Sequence, residues 1–150
     1  MSRAQCIVIR ENKLLMVQHR RNGEEWWCLP GGSVEPGETP EAGALRELAE
    51  ECLVKGRLIK LTSMVEYAPN EYHYTYLIEI DEQIPRLGDD PDKAAGQKVL
   101  ADIGWFSLDE LAERDRAYLW TAGLLTIKQF SDDLLTWDQA PTDPRKAKSR

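Results

Sequence analysis

The stretch that most constrains this chain is Gly32 to Val54, GSVEPGETPEAGALRELAEECLV, which places a glycine turn, a helix start and a cluster of carboxylates in one short segment. Thr39 followed by Pro40 is a helix entry signal: a threonine oxygen can cap free backbone N–H groups, and proline sacrifices no hydrogen bond at the first helical position. The pattern predicts a helix from Pro40 to Cys52. At ~100° per residue, Leu45, Leu48, Ala49 and Cys52 fall in one sector of that helix and Glu47, Glu50 and Glu51 in another. Glu47, Glu50 and Glu51 stand at i, i+3 and i+4, and like charges at that spacing destabilise a helix by about 0.2–0.5 kcal/mol per pair. Arg46 can pair with Glu50, but one guanidinium does not neutralise three carboxylates. Hard oxygen clusters of this kind suit Mg²⁺ or Mn²⁺.

An isolated E-x-x-E-E run is most often a solvated helix face, so its setting matters. Leu29-Pro30-Gly31-Gly32 and Glu35-Pro36-Gly37-Glu38 precede it. With these residues the segment closely resembles the Nudix hydrolase signature, G-x5-E-x7-R-E-U-x-E-E-x-G-U with U aliphatic. Gly32, Glu38, Arg46, Glu47, Leu48, Glu50, Glu51 and Val54 match it, and Leu53 stands where the family usually has glycine. Leu53 is expected to end the helix in an ordinary right-handed conformation, buried beside Leu48 and Cys52, with Gly56 as a displaced exit.

The resemblance implies an α/β/α sandwich with a mixed β-sheet between helices, and hydrolysis of the diphosphate bond in a nucleoside diphosphate linked to another group. It implies Mg²⁺ or Mn²⁺ as cofactor, with Glu47 and Glu51 as principal ligands, Glu50 as a further one, and a carbonyl of the turn at Gly32 assisting. Glu47, Glu50 and Arg46 form the implied catalytic set, in which Glu47 or a loop acid takes the proton from water. Arg46 and Glu38 hold the loop–helix geometry, and Gly31 and Leu48 are structural. Two other classes stay open: a non-catalytic Nudix domain that binds a nucleotide or a protein, and an isomerase using the same site. A binding module has no need for all three glutamates.

With 150 residues the chain is long enough for a single core. It is expected to form one domain over 1–138 and a flexible polar tail over 139–150. The formal net charge is −7, and six glutamates against one arginine between Glu35 and Glu51 account for −5 of it. So acidic a chain is a poor candidate for nucleic-acid polymers, whose affinity comes mainly from Lys and Arg against phosphate. A small phosphate compound bound through a metal is the expected partner, and a homodimer is a candidate assembly. Cys6, Cys28 and Cys52 lack metal-ligand or redox spacing and read as reduced thiols. Neither a signal peptide nor a membrane-spanning run is recognised, so a cytoplasmic protein is expected.

Along the chain, Ala4 to Arg10 and Leu14 to Gln18 read as a hairpin. His19, Arg20 and Arg21 then form a basic cluster, and the resemblance places Arg20 and Arg21 near the substrate. In Trp26-Trp27-Cys28-Leu29, alternation sends the tryptophans to opposite faces, one to the core and one, assigned to Trp27, to the substrate pocket. Arg57 to Tyr67 and Tyr72 to Ile80 predict a second hairpin, in which Tyr72, Tyr74, Tyr76, Ile78 and Ile80 share a face. Pro69 and Tyr72 point to different substrates, ADP-ribose and dinucleoside polyphosphates, and an oxidised nucleoside triphosphate or a nucleotide sugar also remains open. His73 reads as a strand-surface residue. Residues 84–98 read as a loop in which Asp89, Asp90 and Asp92 are candidate metal ligands. Val99 to Phe106 resembles the last strand of the family and Ser107 to Leu111 the helix that commonly follows it; Ser107 with Glu110 makes a capping box, and Arg116 to Phe130 predicts a helix with one broad apolar stripe.

Overall fold

The structure, a computed structural model, describes residues 1–88 and 99–128. Asp89, Asp90, Asp92, Phe130 and the tail lie outside the described residues. The elements in order are β1 (Arg3–Ile7), β2 (Ile9–Arg10), β3 (Lys13–Arg21), β4 (Glu24–Cys28), β5 (Gly31–Ser33), α1 (Pro40–Cys52), β6 (Arg57–Ala68), β7 (Glu71–Glu79), β8 (Val99–Phe106) and α2 (Glu113–Thr121), with short 3-10 turns at Leu108–Glu110 and Leu124–Thr126. One mixed sheet has the order β5-β1-β7-β6, with β1 parallel to β7 and antiparallel to β5. The second is built on β3, which pairs antiparallel with β2, β4 and β8.

Period-two alternation through these strands divides the core. Cys6, Val8, Leu15 and Val17 pack with Ala44, Leu48 and Cys52 of α1, and Tyr76, Ile78 and Ile80 join them as their spacing predicts. Ile7, Leu14, Met16 and Trp27 face the other way, onto Leu111, Leu119, Ala122 and Leu124. Helices therefore cover both faces of the strands. This is the α/β/α sandwich expected from the sequence.

Four local expectations are corrected. The first hairpin pairs Ile9–Arg10 with Lys13–Leu14 and reaches one bond further, from the Leu15 N–H to the Val8 carbonyl at 3.0 Å, closed by Glu11 and Asn12 at φ of 51° and 61°. The preceding strand joins the other sheet, because Arg3–Ile7 is claimed by β5 and β7. On α1, Ala49 is exposed while Ala44 and Glu51 are buried; Glu51 lies only about 20° around the axis from Ala44, so this acid flanks the apolar stripe rather than opposing it. The predicted helix over Arg116–Phe130 begins earlier, at Glu113, and stops at Thr121. Gly123, at φ 82°, breaks it where a side chain would overlap the Thr62 carbonyl.

The fourth correction is Leu53. It caps α1 in the left-handed conformation, φ 55° and ψ 37°, while its N–H donates to the Ala49 carbonyl. Its side chain is 57% exposed rather than packed beside Leu48 and Cys52. Gly56 is not the helix exit: a Cβ there would stand 2.5 Å from Ile78 Cγ2 and 3.0 Å from Leu48 Cδ2, so it is required for close packing. The N–H groups of Arg86 and Gly88 donate to the carbonyls of Cys52 and Glu51, which ties the start of the next loop to the end of α1.

Candidate functional site

The acids are positioned by a short chain of local devices. The Thr39 side chain accepts from the Ala42 N–H and starts α1 where the sequence predicts. Glu38, just before that cap, accepts from the Glu35 N–H at 3.0 Å and closes the turn Glu35–Glu38. Arg46, two turns into the helix, reaches back with Nε to Glu38 Oε2 at 2.8 Å and with Nη2 to Glu38 Oε1 at 3.1 Å. Nη2 also donates to the Ser33 carbonyl at 2.9 Å. The remaining nitrogen, Nη1, donates to Glu47 Oε1 at 3.1 Å and Glu50 Oε2 at 3.2 Å. One planar guanidinium thus spans strand end, turn and helix, a geometry that lysine could not supply.

Glu51 lies on the other side of this network and is almost buried, at 9% exposure. Its Oε1 accepts the Gly31 N–H at 2.8 Å, docking α1 onto the double-glycine turn. Its Oε2 stands 3.6 Å from Nε2 of the buried His19. Gly32 faces Glu47, and any side chain at Gly32 would overlap that carboxylate. Gly31 is equally confined, because a Cβ there would stand 2.5 Å from the Ala4 carbonyl oxygen. The two glycines are needed for this close approach of strand and helix.

Charge is distributed unevenly among the acids. The Arg46 hydrogen bonds, and after them the Glu35 N–H, hold the Glu38 carboxyl below the usual carboxylate range. Burial pushes the Glu47 carboxyl up, against the pull of Arg46 and with the aid of Glu50 repulsion. Among the described residues, no three His, Cys, Asp or Glu side chains already converge as a metal-ligand set. Glu47 and Glu50 are turned to Arg46, and Glu51 to Gly31 and His19. The donors nevertheless fit a hard divalent cation: three carboxylates stand on little more than one helical turn, two of them sharing a single arginine and one of those two disfavoured as an anion by burial.

Beside the glycine turn lies a cavity of about 150 Å³, lined by Arg3, Gln5, His19, Trp26, His73 and Tyr118 among others. The two tryptophans do face opposite ways, but Trp26 lines this cavity, whereas Trp27 is buried edge-on to Phe106 at 4.6 Å between centroids. Arg20 pairs with Glu25 at 3.0 Å on the β3–β4 hairpin, and Arg21 lies over the Trp26 ring at 6.0 Å. Neither lines the cavity. Tyr72 stands on the α1 side of β7, next to Tyr74, while its neighbour His73 reaches the cavity. Sequence reasoning therefore missed Arg3, Gln5, Tyr118 and the site contact of His19. Only His19 carried a local signal, as a polar residue continuing the inward row Leu15, Val17.

An acidic helix docked through a buried glutamate onto a double-glycine turn, within an α/β/α sandwich, defines the structural class of this site. The chain belongs to the Nudix family, for the NUDIX domain model matches residues 1–126. It is 38% identical over 78 residues to diphosphoinositol polyphosphate phosphohydrolase 3-alpha of Mus musculus, covering 50% of this chain and 47% of that protein. Against diphosphoinositol polyphosphate phosphohydrolase 2 of Rattus norvegicus the identity is 37% over 84 residues, 53% of this chain and 46% of that one. The chain spans about half the length of these curated relatives. A Nudix hydrolase from Nitrosomonas europaea superimposes with a TM-score of 0.66 at 19% identity, over 87% of this chain and 72% of that chain. A C. elegans Ap4A hydrolase gives 0.61 at 19% identity, over 90% and 99%. At such identity these two structures speak to the fold alone.

Proposed function

We propose that this protein hydrolyses a diphosphate bond in a small phosphorylated compound, a nucleoside diphosphate linked to another group, with Mg²⁺ or Mn²⁺ as cofactor. The observation that carries this reading is the arrangement of Glu47 and Glu50 on Arg46 beside Glu51, which is anchored to the Gly31 N–H. Glu47, Glu50 and Glu51 are the proposed ligands, together with the Gly32 carbonyl. A divalent cation there would neutralise the diphosphate and make a bound water more acidic. Glu38 and Arg46 keep helix and turn in register, so that the acids face the substrate from a rigid base. Glu47, whose carboxyl is raised by burial, is the proposed proton acceptor from the attacking water. Trp26 offers a flat face to a planar substrate group, and Arg3 a cation to a phosphate.

The proposed organisation is one domain over 1–138 with a polar tail, and the proposed compartment is the cytoplasm, consistent with reduced thiols at Cys6, Cys28 and Cys52. The test is product release from a panel with Mg²⁺, with Mn²⁺ and with chelator. The panel holds nucleoside triphosphates including oxidised ones, ADP-ribose, nucleotide sugars, Ap4A and diphosphoinositol polyphosphates, the last two taken from the relatives. Cation-dependent turnover of at least one compound is expected. Tight binding of a nucleotide without turnover in any arm would replace the hydrolase reading by the binding-module one. Sedimentation of the full chain tests for the homodimer.

A further inference from the structure

His19 continues an inward row of apolar residues on β3. On β3, Leu15 and Val17 point toward α1 and are fully buried in its core, and alternation directs His19 the same way. His19 is 2% exposed, with Nε2 3.6 Å from Glu51 Oε2. That distance is within ion-pair range rather than at hydrogen-bond length. The β3–β8 register shifts between Gln18 and His19, which pair with Asp102 and Leu100, so that Ala101 is left over. Irregularities of this kind re-aim side chains beside functional sites. The Trp26 ring lies 6.0 Å from the imidazole, and both side chains line the cavity.

Burying an imidazole costs free energy that a polar partner offsets, and the Glu51 carboxylate it faces is such a partner. Glu51 is held from two directions: the Gly31 N–H takes Oε1 and His19 faces Oε2. We propose that His19 is a positioning residue for Glu51, fixing the plane of its carboxylate and thereby setting the affinity of the acidic cluster for a divalent cation. This inference rests on the metal-site reading given above. Removing such an outer partner typically costs about 10–100-fold in metal affinity.

The experiment measures Mn²⁺ affinity by electron paramagnetic resonance and calorimetry on the full chain, without substrate, for the parent, His19→Leu, His19→Gln and Glu51→Gln. Circular dichroism and a melting curve in chelator accompany each variant. Leu continues the inward row of β3, so His19→Leu is expected to fold with a metal-free melting temperature at or above the parent's and to bind Mn²⁺ about 10–100-fold more weakly. His19→Gln retains a donor and should recover part of that affinity. If the folded His19→Leu protein binds Mn²⁺ within about twofold of the parent while Glu51→Gln does not, the positioning role is overturned and the metal site stands. If Glu51→Gln also leaves the affinity unchanged, the metal assignment fails, and the role of His19 with it. Should His19→Leu be misfolded, His19→Gln decides alone: affinity weaker than the parent's together with a line shape unlike the parent's supports the role, and affinity within about twofold of the parent's overturns it.

Discussion

At the scale of single residues, the site depends on which groups share a partner. Glu51→Gln keeps the shape that accepts the Gly31 N–H but removes the charge, so the protein should fold normally and lose turnover by several orders of magnitude. Activity within about twofold of the parent, in an assay with saturating Mg²⁺, would sink the metal assignment. Glu38 sets a pH dependence whose sign follows from its lowered carboxyl. The unfolded chain binds the proton more tightly, so the stability due to Glu38 is fully present above the ordinary carboxylate pKa and is lost as pH falls through the lowered folded value. Glu38→Gln should therefore flatten the acid limb of a melting-temperature profile and leave its neutral-to-basic part parallel to the parent's. An unchanged acid limb would show that another carboxylate controls it.

At the scale of elements, the exit of α1 holds the clearest stored strain. A left-handed backbone costs a residue with a side chain about 1–2 kcal/mol, whereas glycine there adds about 0.5–1 kcal/mol of unfolded-chain entropy. Leu53 sits at φ 55° with its side chain 57% exposed, so little apolar burial is lost on removing it. Leu53→Gly should then stabilise the protein by about 0.5–1 kcal/mol, seen as a higher denaturation midpoint at unchanged slope. A lower midpoint would restore the right-handed exit first expected from the sequence. Gly56→Ala should act in the opposite direction, because the added methyl meets Ile78 and Leu48 inside the core. Leu53→Gly with Gly56→Ala also separates the two glycine roles that the sequence merges: family spacing marks position 53, and proximity alone suggested 56.

At the scale of the whole molecule, a cation that binds only the folded state must stabilise it by mass action, by about 2.7 kcal/mol at a hundredfold excess over its Kd. Mg²⁺ at millimolar concentration should raise the melting temperature of the parent and leave that of Glu51→Gln nearly unchanged. An unaffected parent would argue against a formed site in the free protein. The site lies where three elements meet: α1 brings the acids, β5 the glycines and β3 the imidazole. A loss of packing in either core is therefore expected to reach the acids through the backbone of the Gly31–Gly32 turn.

What the sequence determined by itself is local. The cap at Thr39, the span of α1, the Glu47–Glu50–Glu51 spacing and the strands of β6 and β7 follow from hydrogen-bonding needs and periodicities contained in a few consecutive residues, the last strand and the Glu38–Arg46 bracket from the family resemblance, and the structure carries them. The partners of the first strand, the choice of Trp26 over Trp27 for the cavity, the burial of Glu51 and the placement of Arg3 and His19 are decided by contacts between elements far apart in the chain. Tertiary packing even overrides a local rule at Leu53. There the loop N–H groups of Arg86 and Gly88 satisfy the helix-end carbonyls of Cys52 and Glu51, a connection made only when residues more than thirty positions apart meet. Alternation tells which residues share a face, but only the folded sheets tell what that face meets.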